Sequence, residues 1–323
     1  MNVKDVVLIG GGLSGIMAAS ILKRNGIENF IILEKSKSVG GRLATRRIGE
    51  GKADHGAQFF TVRSKELQDE VEKWLQAGWI KKWFGHPYPR YTSTDGMNTL
   101  TKKLAQHLPT KLNSQVLHVR EKRDGPLEIE FHDGDRINAK HVIITPPAPQ
   151  AFELIDSEFD KKQLNQISFA PSLVGLFTLE KESAIPSPGH LDEQLPDGVE
   201  RIVDHQKKGI SKTVTISVYM TGIWAEKHYE ESDQSILEKI KAIVEQYTGP
   251  NNSLVHCQLK RWKYAEAKEV FHSPYIELGE RGKIIVCGDA FLRENDEAGR
   301  TRFESAFLSG ISAGERMVDC LKG

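Results

Sequence analysis

A chain of 323 residues with 44 Lys plus Arg and 44 Asp plus Glu carries no formal net charge, which argues against nucleic acid or an acidic membrane surface as partner. Its 39% hydrophobic and 27% charged residues exclude a disordered chain, and at roughly 100 to 200 residues per domain it predicts about two domains. Cys257, Cys287 and Cys320 are widely spaced without a C-x-x-C, so neither a disulfide framework nor a metal site is expected, and the setting reads as cytoplasmic.

Val3 to Ile9 is a continuous β-branched and aliphatic run, the pattern of a strand buried on both faces of a parallel sheet. Three glycines end it. Leu13 to Asn25 then places Leu13, Ile16, Met17, Ser20 and Ile21 at helical spacing, with Gly26 as a C-cap. Asn29 to Leu33 is a second buried strand, which completes a β-α-β unit. The uncharged run Val6 to Leu22 imitates a signal peptide or an anchor. Asp5 and the three glycines speak against both, and the run is shorter than the roughly 20 residues a bilayer requires, so no membrane partner is expected.

Gln115 to Arg120 and Leu127 to Phe131 read as a hairpin around Asp124-Gly125-Pro126, and His141 to Thr145 as a buried strand stopped by Pro146 and Pro147. From Phe152 to Glu280 the texture changes to alternating strands such as Leu173 to Leu179 and Thr213 to Met220. A loop marked by Pro186, Pro188, Gly189 and Pro196 follows the first of these, and a helix is predicted from Ser232 to Tyr247. Lys283 to Cys287 returns to the buried strand pattern, and Arg302 to Leu321 reads as a closing helix.

Gly10-x-Gly12-x-x-Gly15 lies between the first strand and helix, the context in which this pattern signals a dinucleotide. Gly10 allows the tight turn, Gly12 lets a pyrophosphate approach the backbone, and Gly15 lets the helix pack on the sheet. The helix N-terminus at Leu13 and Ser14 offers N–H groups to phosphate. Glu34, twenty-four residues after Gly10 and followed by Lys35, stands where a carboxylate accepts from a ribose diol. This pattern serves nicotinamide and flavin dinucleotides alike. Gly40-Gly41-Arg42 adds a guanidinium beside two glycines, a fork suited to a pyrophosphate.

With Leu43-Ala44-Thr45-Arg46, this segment resembles the G-G-R-x-x-T signature of the flavin-containing amine oxidase superfamily. Asp54-His55-Gly56-Ala57-Gln58-Phe59-Phe60 resembles the D-H-G-A-Q-Y/F-F segment of its renalase branch. Asp95-Gly96-Met97, Thr145 to Gln150, Arg261 to Ala265, Gly288-Asp289-Ala290 and Phe303 to Gly310 are similar to further blocks of that branch, in the same order.

The resemblance implies an α/β fold: a discontinuous Rossmann-type FAD-binding domain (1–60, 97–150 and 281–323) and a sheet-based substrate domain (61–96 and 151–280). It implies a non-covalent FAD held by Glu34 at the adenosine ribose, Arg42 at the pyrophosphate, Val116 at the adenine and Asp289 at the ribityl chain or phosphate. Gly41, Thr145 and Gly288 would line the same cradle. Gly56, Ala57, Gln58 and Phe59 would line the reactive edge of the flavin ring, with Phe303 and Ala306 at its pyrimidine end. Here a helix dipole favours negative charge.

The implied reaction takes hydride from isomeric dihydronicotinamide nucleotides, NAD(P)H isomers, and passes the electrons to molecular oxygen, giving hydrogen peroxide. Alternatives that stay open are an oxidase or dehydrogenase of a small amine and a flavin-binding module without turnover.

No catalytic residue is assigned; His55, Gln58, Phe59, Trp262 and Tyr264 are candidates lining the flavin. Trp262 and Tyr264 alternate on a predicted strand and point the same way. Two departures from the branch stand out: Glu266-Ala267-Lys268 where a proline is usual, and Ser305 where glycine is usual. Gly310-x-Ser312-x-Gly314 matches the pattern of a hydrolase nucleophile. It falls inside the closing helix rather than at a strand-to-helix elbow, so a nucleophile is not expected.

Overall fold

The structure is a computed structural model that describes residues 3–121, 125–156, 159–249, 252–280, 283–296 and 299–323. Its larger sheet is ordered Ile276–Leu278, Ile284–Val286, Arg136–Ile144, Lys4–Ile9, Phe30–Leu33, Thr110–Lys111. The last five of these run parallel to one another, and Ile276–Leu278 pairs antiparallel with Ile284–Val286 at one edge. The hairpin Val116–Glu121 with Leu127–Phe131 joins this sheet antiparallel through Arg136–Ile144. Of its expected turn, Asp124 lies outside the described residues.

The first strand shows why the run is apolar at every position. Val6 and Leu8 pack with Ala18, Leu22, Ala313 and Met317 on one face, while Val7 and Ile9 pack with Phe131 and Ala148 on the other. Helix α1 (Leu13–Arg24) and the closing helix, Phe303–Lys322, share the first face. They approach to backbone contact. A Cβ on Gly310 would lie 2.4 Å from the Ser14 carbonyl oxygen, and one on Gly314 would lie 2.9 Å from that of Ala18. The G-x-S-x-G pattern is therefore a helix-packing motif, its two glycines one turn apart on the face that meets α1.

The second sheet is wholly antiparallel, ordered His190–Leu191, Val199–Asp204, Thr215–Met220, Ser168–Leu179, Leu254–Glu269. Its alternation sorts two faces. Leu173 and Phe177 pack with Ile236, Ile240 and Val244 of the helix Asp233–Val244, whereas Val174 and Leu176 pack with Ile48 and Ala53. That helix starts where expected, its Ser232 hydroxyl accepting from the Ser235 N–H at 3.2 Å. It ends at Val244 and is followed by a 3₁₀ turn over Glu245–Tyr247, so the α-helix is shorter than the periodicity predicts.

Two small hairpins, Thr45–Ile48 with Gly51–Asp54 and Ile80–Phe84 with Arg90–Ser93, are additional to the predicted elements. Both are short and rich in Arg and Lys, which hides their period. The segment 61–96 touches both units. Its helix α2 (Lys65–Gln76) sets Trp74 against Phe303 and Phe307, while the Trp83 indole N–H donates to the Pro188 carbonyl at 3.0 Å. Among the described residues no helix is long and apolar enough to cross a membrane.

Because Gly310 leaves no room for a methyl group, Gly310→Ala should push the two helices apart and destabilise the fold by about 1–3 kcal/mol. A shift of the urea unfolding midpoint at constant slope checks this, and an unchanged midpoint refutes it.

Candidate functional site

Between the sheets lies a cavity of about 2130 Å³, well beyond the roughly 300–1,000 Å³ of an ordinary small-ligand pocket. Gly10, Gly12, Leu13, Ser14, Glu34, Lys35, Gly41, Val116, Thr145 and Gly288 line one end. Gly10 has φ +103°, and a Cβ there would meet the Thr145 hydroxyl at 2.4 Å. Gly15 does not reach the cavity wall; its Cβ would lie 2.1 Å from the Gly10 carbonyl oxygen, so it sets how closely α1 seats on the turn.

Gly12 is the N-cap of α1, and a Cβ there would meet nothing within 4 Å, so the helix N-terminus opens onto the cavity without a side-chain cap. Glu34 is nearly buried and accepts from the Gly11 and Ser36 N–H groups, both at 2.8 Å, which fixes its carboxylate on the rim. A glycine cradle, an uncapped helix end and an oriented carboxylate fit the diphosphate and ribose of a dinucleotide.

Arg42 projects from the Gly40-Gly41 turn, with Gly41 at φ +53°. Its guanidinium pairs with Asp289, donates to the carbonyls of Tyr264 at 3.3 Å and Ala265 at 3.2 Å, and lies 5.6 Å from the Phe169 ring centroid. Arg42 thus ties the nucleotide unit to the long strand Leu254–Glu269 while lining the cavity. Gly56 follows closely. Its Cβ would overlap the Arg42 carbonyl at 1.8 Å, and the Ala57 N–H donates to that carbonyl at 2.9 Å.

Beneath Gly56 sits a fully buried polar cluster. The Lys208 ammonium donates to Asp54 Oδ2 at 2.7 Å, to the Gln58 carbonyl at 2.7 Å and to Gln58 Oε1 at 2.9 Å, spending all three protons. Burial pulls the ammonium below its usual pKa, and Asp54 pulls it back. Asp54 Oδ1 also accepts from the Thr45 hydroxyl and the Met97 N–H, the latter at 2.9 Å, anchoring the start of the helix Met97–Ala105. The Tyr219 phenol donates to the Gly56 carbonyl at 2.9 Å and receives the Gln58 amide. Gln58 corrects the expectation: it does not line the cavity, because its side chain is consumed in this cluster.

His55, Ala57, Phe59, Trp262, Tyr264, Phe303 and Ala306 do line the cavity. The Trp262 indole N–H donates to the His55 carbonyl at 2.6 Å, and the two rings stack at 5.4 Å. Burial, with Lys260 nearby, lowers His55 to about 4, so its ring is neutral at pH 7. Its Nδ1 is buried without a hydrogen-bond partner. Phe303 stacks on Phe60 at 4.1 Å at the N-terminus of the closing helix. Ser305, where the branch usually has glycine, uses its hydroxyl to accept from the Arg302 N–H at 2.7 Å and to donate to the Arg302 carbonyl at 2.8 Å. Glu304 is buried and accepts from Arg63 and Ser64, tying this helix to the start of α2.

Lys208, Tyr219, Arg90 and Arg201 belong to the site or its support without a sequence signal. Lys208 follows Lys207, whose ammonium instead donates to the carbonyls of Ser183 and Ile185. Glu266, the departure noted beside Trp262 and Tyr264, also lines the cavity, with its carboxyl pushed up by burial and then by Glu200. Among the described residues no group of His, Cys, Asp and Glu is arranged to hold a metal.

Residues 8–74 match the NAD(P)-binding Rossmann-like domain, and residues 75–318 match the flavin containing amine oxidoreductase family. The chain is 39% identical over 72 residues to Protein anon-37Cs of Drosophila lebanonensis, covering 22% of this chain and 13% of that protein. It is 50% identical over 48 residues to the flavin-containing amine oxidase B of Cavia porcellus, 15% of this chain and 9% of that one. It therefore matches only a small part of these relatives' length. A putative protoporphyrinogen oxidase from Exiguobacterium sp. 255-15 superposes over 100% of both chains with a TM-score of 0.75 at 13% identity, a likeness of fold.

Two substitutions test this construction. Arg42→Ala should weaken FAD retention by about tenfold or more, through loss of a charge-assisted contact; unchanged flavin content and affinity on dialysis refute that role. Lys208→Met leaves the Asp54 carboxylate buried and unpaired, and should cost about 3–5 kcal/mol of stability. Chemical unfolding of the holoprotein measures it, and a loss below about 1 kcal/mol is inconsistent with a charged pair.

Proposed function

The chain belongs to the flavin containing amine oxidoreductase family, and from that premise we propose that it is an FAD-dependent oxidoreductase that oxidises isomeric dihydronicotinamide nucleotides to the aromatic pyridinium, with oxygen as electron acceptor and hydrogen peroxide as product. The observation that carries this reading is the lack of a ready proton acceptor on the wall from His55 to Phe59. His55 is a weak base, lowered to about 4. The Tyr219 phenol is pushed up by burial and donates to the backbone. Asp54 and Lys208 are buried against each other.

A dihydropyridine suits such a wall, because it donates hydride directly and gains aromaticity without losing a proton to the protein. FAD, when bound, supplies the hydride-accepting ring. The chain's own residues then bind, orient and exclude water. Gly10, Gly12, Glu34 and Arg42 would hold the dinucleotide end, with Lys35, Gly41, Val116, Thr145, Gly288 and Asp289 around it. Gly56, Ala57 and Phe59 would face the reactive ring, held from behind by Tyr219 and Lys208. The helix N-terminus at Phe303 and Ala306 favours negative charge at the far end. The neutral His55 ring offers one hydrogen bond at Nδ1. Non-covalent binding is supported by the cysteines: Cys287 is buried in the apolar core, and neither Cys257 nor Cys320 lines the cavity.

Anaerobic mixing of the yellow protein with borohydride-generated NAD(P)H isomers, ordinary NADH and a panel of amines tests the proposal. Rapid bleaching by the isomers alone is the expected result. Bleaching by an amine would instead make the protein an amine oxidase or dehydrogenase, and a flavin that nothing in the panel reduces would point to a binding role.

A further inference from the structure

The cavity wall around Phe59 carries two guanidinium groups that neither the dinucleotide cradle nor the buried cluster uses. Arg90 lies 5.5 Å from the Phe59 ring centroid and 4.9 Å from that of Phe84, and Arg201 lies 5.2 Å from that of Phe59. Both line the cavity. The Nε of each is buried without a hydrogen-bond partner, and Arg90 makes no ion pair among the described residues. Arg201 has one long contact, 3.5 Å to its exposed neighbour Glu200, and leaves most of its fork free.

The ring against which they stack is itself held. Phe59 packs edge-on against Trp83, Phe84 and His190, with centroids 5.6–6.3 Å apart. His190 is lowered to about 4, first by burial and then by Arg201, so it brings no further charge. Of the other acids on the cavity wall, Asp192 is 46% exposed and lies 3.7 Å from His190, and Glu266 is pushed toward its neutral form by burial. Two like charges are thus held beside one apolar ring with unspent planar forks, the donor geometry that suits a phosphate or carboxylate.

We propose that Arg90 and Arg201 form a substrate-anion site, taking a phosphate or carboxylate group of the molecule oxidised in this cavity. The inference rests on the preceding reading only in treating the cavity as the substrate's; it deepens that reading by assigning the nucleotide's phosphate to this wall. A simple cationic amine would be repelled by the same pair.

The test uses holoenzyme and follows the flavin difference spectrum during titration with phenyl phosphate, benzoate and, as the neutral control, benzyl alcohol. The better of the two anions should bind at least about tenfold tighter than the alcohol, as expected of charge-assisted hydrogen bonds. R90M and R201M should each remove about tenfold of that advantage without altering binding of the alcohol. Independently of any variant, the anion Kd should rise severalfold on going to 0.5 M NaCl while that of the alcohol stays put. Phenyl phosphate ahead of benzoate identifies phosphate as the group recognised, and the reverse order identifies carboxylate. Equal binding of anions and alcohol, or anion binding that neither the variants nor salt weaken, overturns the site. If anions bind through the two arginines but no NAD(P)H isomer bleaches the flavin, the anion site stands and the nicotinamide reading falls. If isomers bleach the flavin equally well in both variants, the reading stands and the anion site falls.

Discussion

The buried ion pair between Asp54 and Lys208 is the constraint around which the two halves of the molecule are arranged. Taking both charges out of water costs several kcal/mol per ion, and the cost is offset only when every remaining lone pair and proton is satisfied. Here each is. Lys208 gives one proton to Asp54 and two to Gln58, while Asp54 takes further donors from Thr45 and the Met97 backbone. Those partners come from a hairpin, a helix start, the glycine segment at the cavity and a turn of the second sheet, so one saturated cluster sets their relative positions. The turn is built for it: Asp204 is fully buried and accepts from the N–H groups of Gln206 and Lys207, while its carbonyl accepts from that of Lys208.

Around that cluster the cavity divides into ends of different chemistry. The end at the glycine turn is backbone: Gly10, where a Cβ would meet Thr145, the open Gly12, a helix start without a side-chain cap, and one carboxylate oriented by two N–H groups. The opposite wall is side chain, an aromatic box carrying arginines. Arg42 spans the two, since it leaves a glycine turn of the first unit and reaches carbonyls of the long strand in the second. The geometry of the cavity therefore depends on contacts that cross between the units, and less on any one loop.

How much of this was legible in the residues follows from how local each signal is. The β-α-β unit, Glu34 and the glycine turn were readable because strand, turn and helix follow one another and each leaves its own period or breaker. Trp262 and Tyr264 were placed on one face of a strand by simple alternation, and both line the cavity. Gln58 was misplaced for a physical reason: its motif fixes the backbone near the cavity, but which way an amide side chain turns is decided by Lys208, 150 positions away. Lys207 and Lys208 stand side by side, one half-exposed and one wholly buried, and no feature of the run His-Gln-Lys-Lys-Gly separates them. Arg90 and Arg201 were hidden in the same way, because an arginine that meets an aromatic ring across the fold looks like any surface cation.

The crossing of α1 with the closing helix has a consequence for the order in which the molecule is made. The face of α1 that carries Ser14 and Ala18 is completed only by Gly310 and Gly314, and the cavity wall at Gly288, Asp289, Phe303 and Ala306 comes from the same late stretch. Synthesis runs from the N-terminus, so the glycine turn leaves the ribosome nearly three hundred residues ahead of the helix that covers it. The growing chain therefore carries an apolar helix face with no partner, and a glycine turn lacking one side of its cavity, until Phe303–Lys322 has emerged. Retention of the cofactor is then coupled to the arrival of that helix.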